Sequence, residues 1–238
     1  MTTRRVGWPG PAPAAVVLDL DDTLYPQAAY LRGAARAVGR SAHAAGLDGQ
    51  AIARALWLEL AGGSDRGSTI DRALAVCGVS PAVLSQVLPD LVAAFIGYRP
   101  RSLPLYPGAA TALAALRARF PVACLTDGNP TIQRAKLAAT GLAGTLPVVI
   151  TDEIDGRATR KPHPAGLQRA ADLLGVPADR LVMIGDRPGK DVAVAAAVGA
   201  RSIRVRTGEY AAAPDDPMAT VVVPNLAAAA AVLLGTAD

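Results

Sequence analysis

Two carboxylates and a hydroxyl follow an apolar run near the start of the chain. Asp19, Asp21 and Thr23 stand two residues apart, directly after the aliphatic run Ala15–Leu18. This pattern predicts a buried parallel strand that ends at the carboxyl edge of a sheet, where open α/β sheets bind their ligands. Buried carboxylates need a partner, so a cation or a phosphoryl substrate is expected beside them. In the alternative interpretation, the strand leads into a turn in which Asp22 and Thr23 cap a helix.

A hydroxyl closes a second apolar run. Thr126 follows residues 122–125 and precedes the turn residues Asp127, Gly128 and Asn129. A hydroxyl with several backbone N–H groups at a sheet edge is suited to binding an anion. An ordinary junction between a strand and a helix has similar residues, so this stretch is not specific when it is taken alone.

A lysine and a second acidic pair follow further along the chain. Lys161 is one of only three lysines and stands ahead of a helix that Pro164 opens. Asp186 and Asp191 follow an apolar run that ends at Ile184. Taken singly, Lys161 fits a solvated surface, Asp186 a loop and Asp191 a helix cap.

Together, these stretches favour a phosphoryl site over the separate explanations. Asp19, Asp21 and Asp186 would form an oxygen-rich site of the kind that Mg²⁺ prefers. Lys161 and Thr126 would offset the charge of a phosphoryl group bound beside that site.

Alternating strands and helices after residue 100 are expected to position these side chains. Strands are predicted over 121–125, 147–150, 180–184, 202–205 and 220–223, and helices over 109–119, 130–140, 164–174, 191–198 and 226–234. With the first strand, over 14–20, this alternation predicts an α/β fold. Its core would be a doubly wound parallel sheet of the Rossmann-like kind with right-handed crossovers.

Residues 25–100 interrupt that alternation with a long helical block. Four helices are predicted there, over 28–45, 49–60, 69–76 and 81–96. A block of this length exceeds a simple crossover and predicts a helical subdomain inserted after the first strand. The predicted organisation is a flexible leader over 1–13, a catalytic core over 14–24 and 101–238, and the inserted subdomain over 25–100.

The composition excludes several classes of protein. The 238 residues carry a formal charge of +4, and the arginines that supply most of the positive charge are scattered. Aromatic residues make up only 4% of the chain, so no nucleic-acid partner is expected. Prolines in the leader exclude a signal peptide, and no apolar stretch is long enough for a bilayer, so no membrane partner is expected. Two cysteines without a CxxC spacing are typical of a reduced, cytoplasmic protein.

In order and spacing, the four stretches resemble the motifs of the haloacid dehalogenase superfamily. Residues 19–23 match its DxDxT motif, and Thr126 matches its Ser or Thr at a strand end. Lys161-Pro162 matches its basic residue, and residues 185–191 match its GDxxxxD motif. The match extends over about 14–206, and the inserted helices resemble the small helical cap of the family, the C1 type.

The resemblance implies a Mg²⁺-dependent phosphatase that works through an aspartyl-phosphate. It implies that Asp19 is the nucleophile and Asp21 the general acid and base. The metal ligands would be Asp19, the backbone carbonyl of Asp21, and Asp186, with Asp191 in support.

The resemblance also implies which groups bind the phosphoryl oxygens. These are the Thr126 hydroxyl, the Lys161 ammonium, and the backbone N–H groups of Leu20, Asp127 and Gly128. Lys161 would also keep Asp19 ionised through its nearby positive charge. The expected partner is a small-molecule phosphate ester.

The residues present narrow the reaction within the superfamily. Its dehalogenases lack the second Asp of the first motif, so Asp21 favours a phosphatase. Its phosphonatases use a cap lysine, and no lysine stands between Leu24 and Tyr106. Hydrolysis of a small phosphomonoester is therefore predicted. A phosphosugar mutase and a catalytically weak binding or regulatory protein are the alternatives.

The sequence does not decide the roles of three of its features. Arg187, which stands with Lys190 in the fourth motif, could contact the substrate phosphate, pair with an acid or point to solvent. A solvent-exposed or structural role is favoured over phosphate contact, because most arginines are exposed. The glycine-rich segment 62–67 is either a specificity loop or a plain connection between helices. Five arginines of the inserted helices are candidates for substrate contacts, and these are Arg32, Arg36, Arg66, Arg72 and Arg99.

Overall fold

A six-stranded parallel sheet forms the centre of the protein. In the computed structural model, which describes residues 7–236, the strands are β1 (Ala15–Leu18), β2 (Val122–Thr126), β3 (Val148–Ile150), β4 (Leu181–Gly185), β5 (Arg201–Val205) and β6 (Val221–Val223). Their order across the sheet is β3-β2-β1-β4-β5-β6, and each neighbouring pair is parallel. The predicted doubly wound α/β sheet is therefore confirmed.

The helices of the described chain form two groups. The first group lies between β1 and β2 and contains α1 (Gln27–Ala44), α2 (Gly49–Ala61), α3 (Thr69–Val76) and α4 (Pro81–Ile96). These bounds agree with the predicted ones to within one residue. Along the rest of the chain the helices are α5 (Ala109–Arg119), α6 (Pro130–Ala139), α7 (Asp152–Asp155), α8 (Ala165–Leu174), α9 (Ala193–Ala197) and α10 (Leu226–Leu234).

Side-chain caps explain where α2 and α6 begin. The Asp48 carboxylate accepts hydrogen bonds from the first turn of α2. The Asn129 side chain accepts the N–H groups of Thr131 and Ile132 at the start of α6, and Pro130 occupies the first helical position. Helix α6 therefore begins directly after the turn that follows β2.

The ends of the central strands lie level with one another. Leu18 of β1 pairs with Cys124 of β2 and with Ile184 of β4. The residues that follow these strands therefore emerge at one edge of the sheet. This edge includes the point between β1 and β4 where the direction of strand addition reverses, which is where such sheets bind ligands.

Two apolar layers cover the sheet. Val16 and Leu18 point into a layer that also contains residues of α5, α10 and the inserted helices. Ala15 and Val17 point into the opposite layer, which contains residues of α8 and α9. Successive side chains of a strand alternate between faces, and both faces are buried here. This is why β1 is apolar throughout rather than alternating.

The chain passes from β1 into the inserted helices through a tight turn at Asp22. This residue has a φ of +56°, and its Oδ1 accepts the N–H of Gln27, the first residue of α1, at 2.9 Å. Oδ1 also accepts the Tyr106 hydroxyl at 3.3 Å, and Oδ2 accepts the N–H of Glu209 at 3.1 Å. Asp22 thus binds the first N–H of α1, although Pro26 is the N-cap residue of that helix. The alternative interpretation of the first motif is met only for Asp22, because the Thr23 hydroxyl donates to Asp19 and not to the helix. The chemistry expected of Asp19 and Asp21 does not exclude this role.

Three local features differ from the prediction. Strand β1 ends at Leu18 rather than at residue 20. A π-helical turn over Pro188–Val192 precedes α9, so the helix predicted from residue 191 begins at Ala193. The short helix α7 has too few residues to show a helical periodicity, and the sequence does not predict it.

The predicted flexible leader, residues 1–13, lies partly outside the described residues, and so do the last two residues of the predicted core. Within the described part, Trp8 packs against the core, and the carbonyl of Pro9 accepts a hydrogen bond from Arg201. No helix within residues 7–236 has the length and apolar character needed to cross a bilayer.

Candidate active site

Asp19 lies buried just after β1 between two donors. Its Oδ1 accepts a hydrogen bond from the Lys161 Nζ at 2.5 Å, and its Oδ2 accepts one from the Thr23 hydroxyl at 3.3 Å. Burial raises the pKa of Asp19 to about 7, since the Lys161 ammonium only partly offsets the loss of hydration. The structure thus brings together Asp19 and Lys161, which the motifs predicted to act together, and adds Thr23 of the first motif.

Lys161 links Asp19 to Asp191. Its Nζ lies 2.7 Å from Asp191 Oδ1, and its side chain is only 3% exposed. Its backbone N–H donates to Asp127 Oδ1 at 3.0 Å, which anchors it beside the end of β2. Burial by itself would lower the pKa of Lys161, but the carboxylates of Asp19 and Asp191 raise it well above its usual range. Lys161 is therefore a fixed positive charge and not a solvated surface residue.

Asp19, Asp186 and Asp191 form a buried acidic cluster. One carboxylate oxygen from each residue lies within 4.8 Å of the other two. Neither oxygen of Asp186 has a hydrogen-bond partner among the described residues. Burial raises the pKa of Asp186 to about 10, and the neighbouring Asp191 and Asp19 charges add to this effect. A buried carboxylate without a partner is costly unless a cation binds it, so these residues fit a divalent metal ion with oxygen ligands.

Gly185 makes room for Asp191 at the end of β4. A Cβ atom at position 185 would lie 2.2 Å from the Asp191 Cγ, so a side chain there would displace the carboxylate. Asp191 Oδ2 also accepts the backbone N–H of Arg187 at 2.9 Å. Position 185 therefore needs glycine, because only a residue without a side chain leaves room for the Asp191 carboxylate.

Thr126, the last residue of β2, is buried, and its hydroxyl has no hydrogen-bond partner within residues 7–236. Asp19, Asp127 and Gly128 line the same cavity as Thr126. Gly128 has a φ of +122°, which residues with a side chain rarely adopt. Leu20 lies buried in the loop after β1. The binding roles predicted for Thr126 and for the backbone N–H groups of Leu20, Asp127 and Gly128 stay predictions.

The Asp21 carboxylate lies outside the acidic cluster. Its two oxygens are 2.8 and 2.7 Å from the Lys136 Nζ. Oδ1 also accepts the Tyr25 hydroxyl at 2.5 Å. Because the carboxylate is engaged in this way, only the backbone carbonyl of Asp21 remains as its predicted metal ligand.

A cavity of about 270 Å³ opens over these groups. The core contributes Asp19 and Lys161 to its lining, and the inserted helices contribute Tyr30, Asp65 and Phe95. The cavity therefore lies between the insertion and the core. Its volume falls just below the range of roughly 300–1,000 Å³ that is typical of pockets for drug-sized ligands, which suits a small ligand.

Comparison with known proteins agrees with this geometry. The family model of the haloacid dehalogenase-like hydrolases matches residues 13–199, which is most of the chain. The chain belongs to this hydrolase family. The resemblance that the four motifs indicated is thereby confirmed.

Relatives of the chain within this hydrolase family are phosphatases. The phosphoserine phosphatase of Thermus thermophilus is 31% identical, over 86% of this chain and 92% of its own length. The phosphoglycolate phosphatase of Rhodospirillum rubrum is 35% identical, over 79% of this chain and 77% of its own length. Both relatives confirm the prediction of a phosphatase enzyme of this family.

A solved structure agrees with the fold of the family. The crystal structure of a predicted phosphoglycolate phosphatase from Haemophilus somnus matches with a TM-score of 0.68, covering 94% of this chain and 97% of that one. Its sequence identity is 16%, so it supports the fold alone.

The fourth family motif carries two basic residues, and the structure distinguishes between the roles expected for Arg187. The Arg187 side chain is only 18% exposed, donates to Asp65 at 2.7 Å and lies 4.1 Å from the Tyr210 ring centroid. The Lys190 Nζ lies 3.4 Å from Asp65 and 3.5 Å from Asp127. Arg187 does not point to solvent, because Asp65 of the glycine-rich segment pairs with it. Of the two favoured roles, the structure shows the structural one, a pair with an acid.

The five candidate arginines of the inserted helices do not line the cavity in the part of the chain that the structure describes. Arg72 pairs with Glu59, for example, and Arg99 donates to backbone carbonyls of its own segment. The positive side chains of the cavity come from the core, and these are Lys136, Arg157, Arg160, Lys161, Arg187 and Lys190.

Sequence reasoning missed Gln133, Lys136 and Asp65, which also line the cavity. Gln133 and Lys136 stand three residues apart on α6, and this spacing puts them on one face of the helix. The rarity of lysine in this chain was a usable signal for Lys136. Asp65 has no comparable signal, because its partners belong to a distant part of the sequence.

Proposed function

We propose that the protein hydrolyses a small phosphomonoester through an aspartyl-phosphate on Asp19. The observation that carries this proposal is the pairing of the buried Asp19 carboxylate with the Lys161 ammonium at 2.5 Å. A nucleophile needs a negative charge in a site that also attracts the phosphoryl group. The Lys161 ammonium favours both, because it lowers the pKa that burial would otherwise give Asp19 and attracts the phosphoryl oxygens.

In the first step, an oxygen of Asp19 attacks phosphorus, and the bond between phosphorus and the ester oxygen breaks. Asp21 donates a proton to the departing alkoxide, which leaves as an alcohol. The Thr126 hydroxyl, which has no other partner among residues 7–236, and the Lys161 ammonium bind the phosphoryl oxygens. The backbone N–H groups of Leu20, Asp127 and Gly128 complete this binding.

In the second step, water attacks the phosphoryl group on Asp19. Asp21, now a carboxylate, accepts the proton of that water. The bond between phosphorus and Asp19 breaks, its electron pair returns to the Asp19 carboxylate, and inorganic phosphate leaves. Asp21 then holds the proton that the next leaving group needs.

The residues that would hold Mg²⁺ are the Asp19 carboxylate, the backbone carbonyl of Asp21 and the Asp186 carboxylate, with Asp191 in support. The unpartnered oxygens of Asp186 support this set, and oxygen ligands are those that Mg²⁺ prefers. When bound, Mg²⁺ would offset the negative charge of the phosphoryl group. Asp191 already binds Lys161 and the N–H of Arg187, which suits it to a supporting role.

Residues 25–100 are proposed to act as a cap that selects the substrate. Tyr30, Asp65 and Phe95 of this segment line the cavity opposite the motif residues of the core. Because the cavity measures about 270 Å³, we expect a compact alcohol portion of the ester.

The test is release of inorganic phosphate from a panel of esters, with MgCl₂ or with EDTA. The panel contains an aryl phosphate, sugar phosphates, a nucleoside monophosphate, phosphoserine and phosphoglycolate. Turnover is expected only with MgCl₂, and Asp19→Asn is expected to lower kcat at least about 10³-fold. Asp90→Asn makes the same chemical change at an exposed position of α4 and serves as the control.

Three results would contradict the proposal. Absence of turnover with every ester, from folded protein in MgCl₂, would refute hydrolysis. Isomerisation of a sugar phosphate without release of phosphate would favour the mutase alternative. Tight binding of an ester without any conversion would favour a binding or regulatory role.

A further inference from the structure

Lys136 is a buried lysine outside the four motifs. Its side chain is only 4% exposed, and its Nζ lies 2.8 and 2.7 Å from the two carboxylate oxygens of Asp21. A buried ammonium loses its hydration, so it is stable only where a partner such as this carboxylate replaces the water. Lys136 and Asp21 are 115 residues apart in sequence.

Asp21 is held from a second side by Tyr25, whose hydroxyl donates to Oδ1 at 2.5 Å. The Tyr30 ring of α1 covers the Lys136 ammonium, with 4.9 Å between the Nζ and the ring centroid. Tyr30, Asp21 and Lys136 all line the cavity. Two donors on different elements therefore fix the orientation of the Asp21 carboxylate at the cavity wall.

We propose that Lys136 is a positioning residue that orients Asp21 to accept the proton of the attacking water. The inference rests on the proposed function, because it assigns Lys136 to the second step of that reaction. In that step water adds to phosphorus, its proton passes to the Asp21 carboxylate, and the Asp19 carboxylate departs with the bonding electron pair. A misoriented base slows this step even when the nucleophile Asp19 is intact.

An aryl ester separates the two steps of the reaction. The p-nitrophenolate of p-nitrophenyl phosphate is a weak base and departs without a proton, so phosphorylation of Asp19 does not need Asp21. Hydrolysis of the aspartyl-phosphate still needs it. Loss of Lys136 should therefore slow the second step alone with this substrate, and the phosphorylated enzyme should accumulate.

The experiment mixes p-nitrophenyl phosphate rapidly with full-length Lys136→Met in MgCl₂. Methionine has a similar length and no charge. We expect a burst of about one nitrophenolate per enzyme, and then a steady rate about tenfold or more below that of the wild type. Acid quenching and mass spectrometry should detect one phosphoryl group on Asp19. Arg134→Met, on the exposed side of α6, should match the wild type in burst and steady rate.

A double variant tests whether Lys136 acts through Asp21. Asp21→Asn removes the proposed base, so Lys136→Met should add less than twofold to its effect on the steady rate. Independent effects that multiply would overturn the proposal. Lys136→Gln keeps a donor for Asp21 and should lie between wild type and Lys136→Met. It also provides the test if Lys136→Met does not fold, as judged by thermal unfolding.

Each other outcome also has one meaning. A rise in KM with unchanged kcat would overturn the proposal and make Lys136 a substrate-binding residue. An equal fall of burst and steady rate, without trapped phosphoryl group, would reduce its role to folding. Wild-type kinetics in Lys136→Met would show that Lys136 has no part in the reaction. Failure of the wild type to release phosphate from every ester would refute the proposed function itself.

Discussion

At the scale of single residues, the buried acidic cluster holds three carboxyl groups and is contacted by one lysine. Asp19, Asp186 and Asp191 are buried together, and within this group the Lys161 ammonium contacts Asp19 and Asp191. Both oxygens of Asp186 stay unpartnered among the described residues. An uncompensated buried carboxyl group lowers the stability of the metal-free protein, whereas cation binding requires that carboxyl group. At position 186 the side chain that binds a cation is therefore not the one that gives the highest stability.

Asp186→Asn tests whether this residue lowers stability in exchange for cation binding. At neutral pH the metal-free wild type must hold this carboxyl protonated, because burial and the neighbouring carboxylates raise its pKa to about 10, whereas asparagine is neutral without that cost. The melting temperature of the metal-free protein should therefore rise by about 2–4 °C, equivalent to about 1 kcal/mol in a protein of this size. MgCl₂ should raise the melting temperature of the wild type but not that of the variant. Calorimetry in EDTA and in MgCl₂ measures both effects. An equal response of both proteins to MgCl₂ would exclude Asp186 from the metal site.

At the scale of elements, the loop between α2 and α3 contacts the core across the cavity. Asp65 pairs with Arg187, which precedes the π-helical turn after β4, and with Lys190, which lies within that turn. Burial would raise the pKa of Asp65, but the Arg187 and Lys190 charges outweigh burial and hold it below its usual range. The Asp65 side chain is 39% exposed, so these ion pairs are weak. The loop is therefore held closed by contacts that open at little cost.

Asp65→Asn is expected to loosen this loop without unfolding the protein. Hydrogen exchange of the amides in residues 62–68 should become at least about threefold faster, because weak ion pairs hold the closed arrangement. The melting temperature should change by less than about 2 °C. Hydrogen exchange with mass spectrometry measures the loop directly. Asp90→Asn should leave the loop unchanged, and equal exchange in Asp65→Asn and wild type would show that the ion pairs do not hold it.

At the scale of the whole molecule, Asp22 joins the inserted helices to the core. Its side chain accepts hydrogen bonds from Gln27, Tyr106 and Glu209, which belong to three separate segments. The N–H of Tyr106 also donates to the Leu24 carbonyl at 2.9 Å. The two segments that connect the inserted helices to the core are therefore adjacent to each other. A Cβ atom at Gly208 would lie 1.9 Å from the Asp22 Cγ, so the neighbouring segment also packs closely on this side chain.

Asp22→Ala should lower the free energy of unfolding by about 3 kcal/mol, because three partly buried donors lose their shared acceptor. This corresponds to a fall in melting temperature of about 6–12 °C. Asp22→Asn keeps an acceptor oxygen and tolerates the positive φ, so it should lose less than half as much. Denaturant unfolding of both variants provides the comparison. Equal losses would mean that the charge of Asp22, rather than its hydrogen bonds, holds the junction.

The sequence by itself determined the architecture and the motif residues. An apolar run closed by Asp19 and Asp21 predicts a strand end at a ligand-binding edge, because side-chain periodicity and turn chemistry are local properties. The same reasoning located the four inserted helices to within one residue. It failed at the turn before α9, where Pro188–Val192 forms a π-helical turn instead of starting a regular helix.

Only the tertiary structure decided which side chains meet across the cavity. Lys136 contacts Asp21 from 115 residues away, and Asp65 contacts Arg187 from 122 residues away. Such pairs depend on how the insertion packs over the core and on which face α6 turns toward β1. Packing of this kind results from many weak apolar contacts that no short segment encodes. The motif residues are therefore readable in the sequence, whereas the residues that position them become visible only in the folded chain.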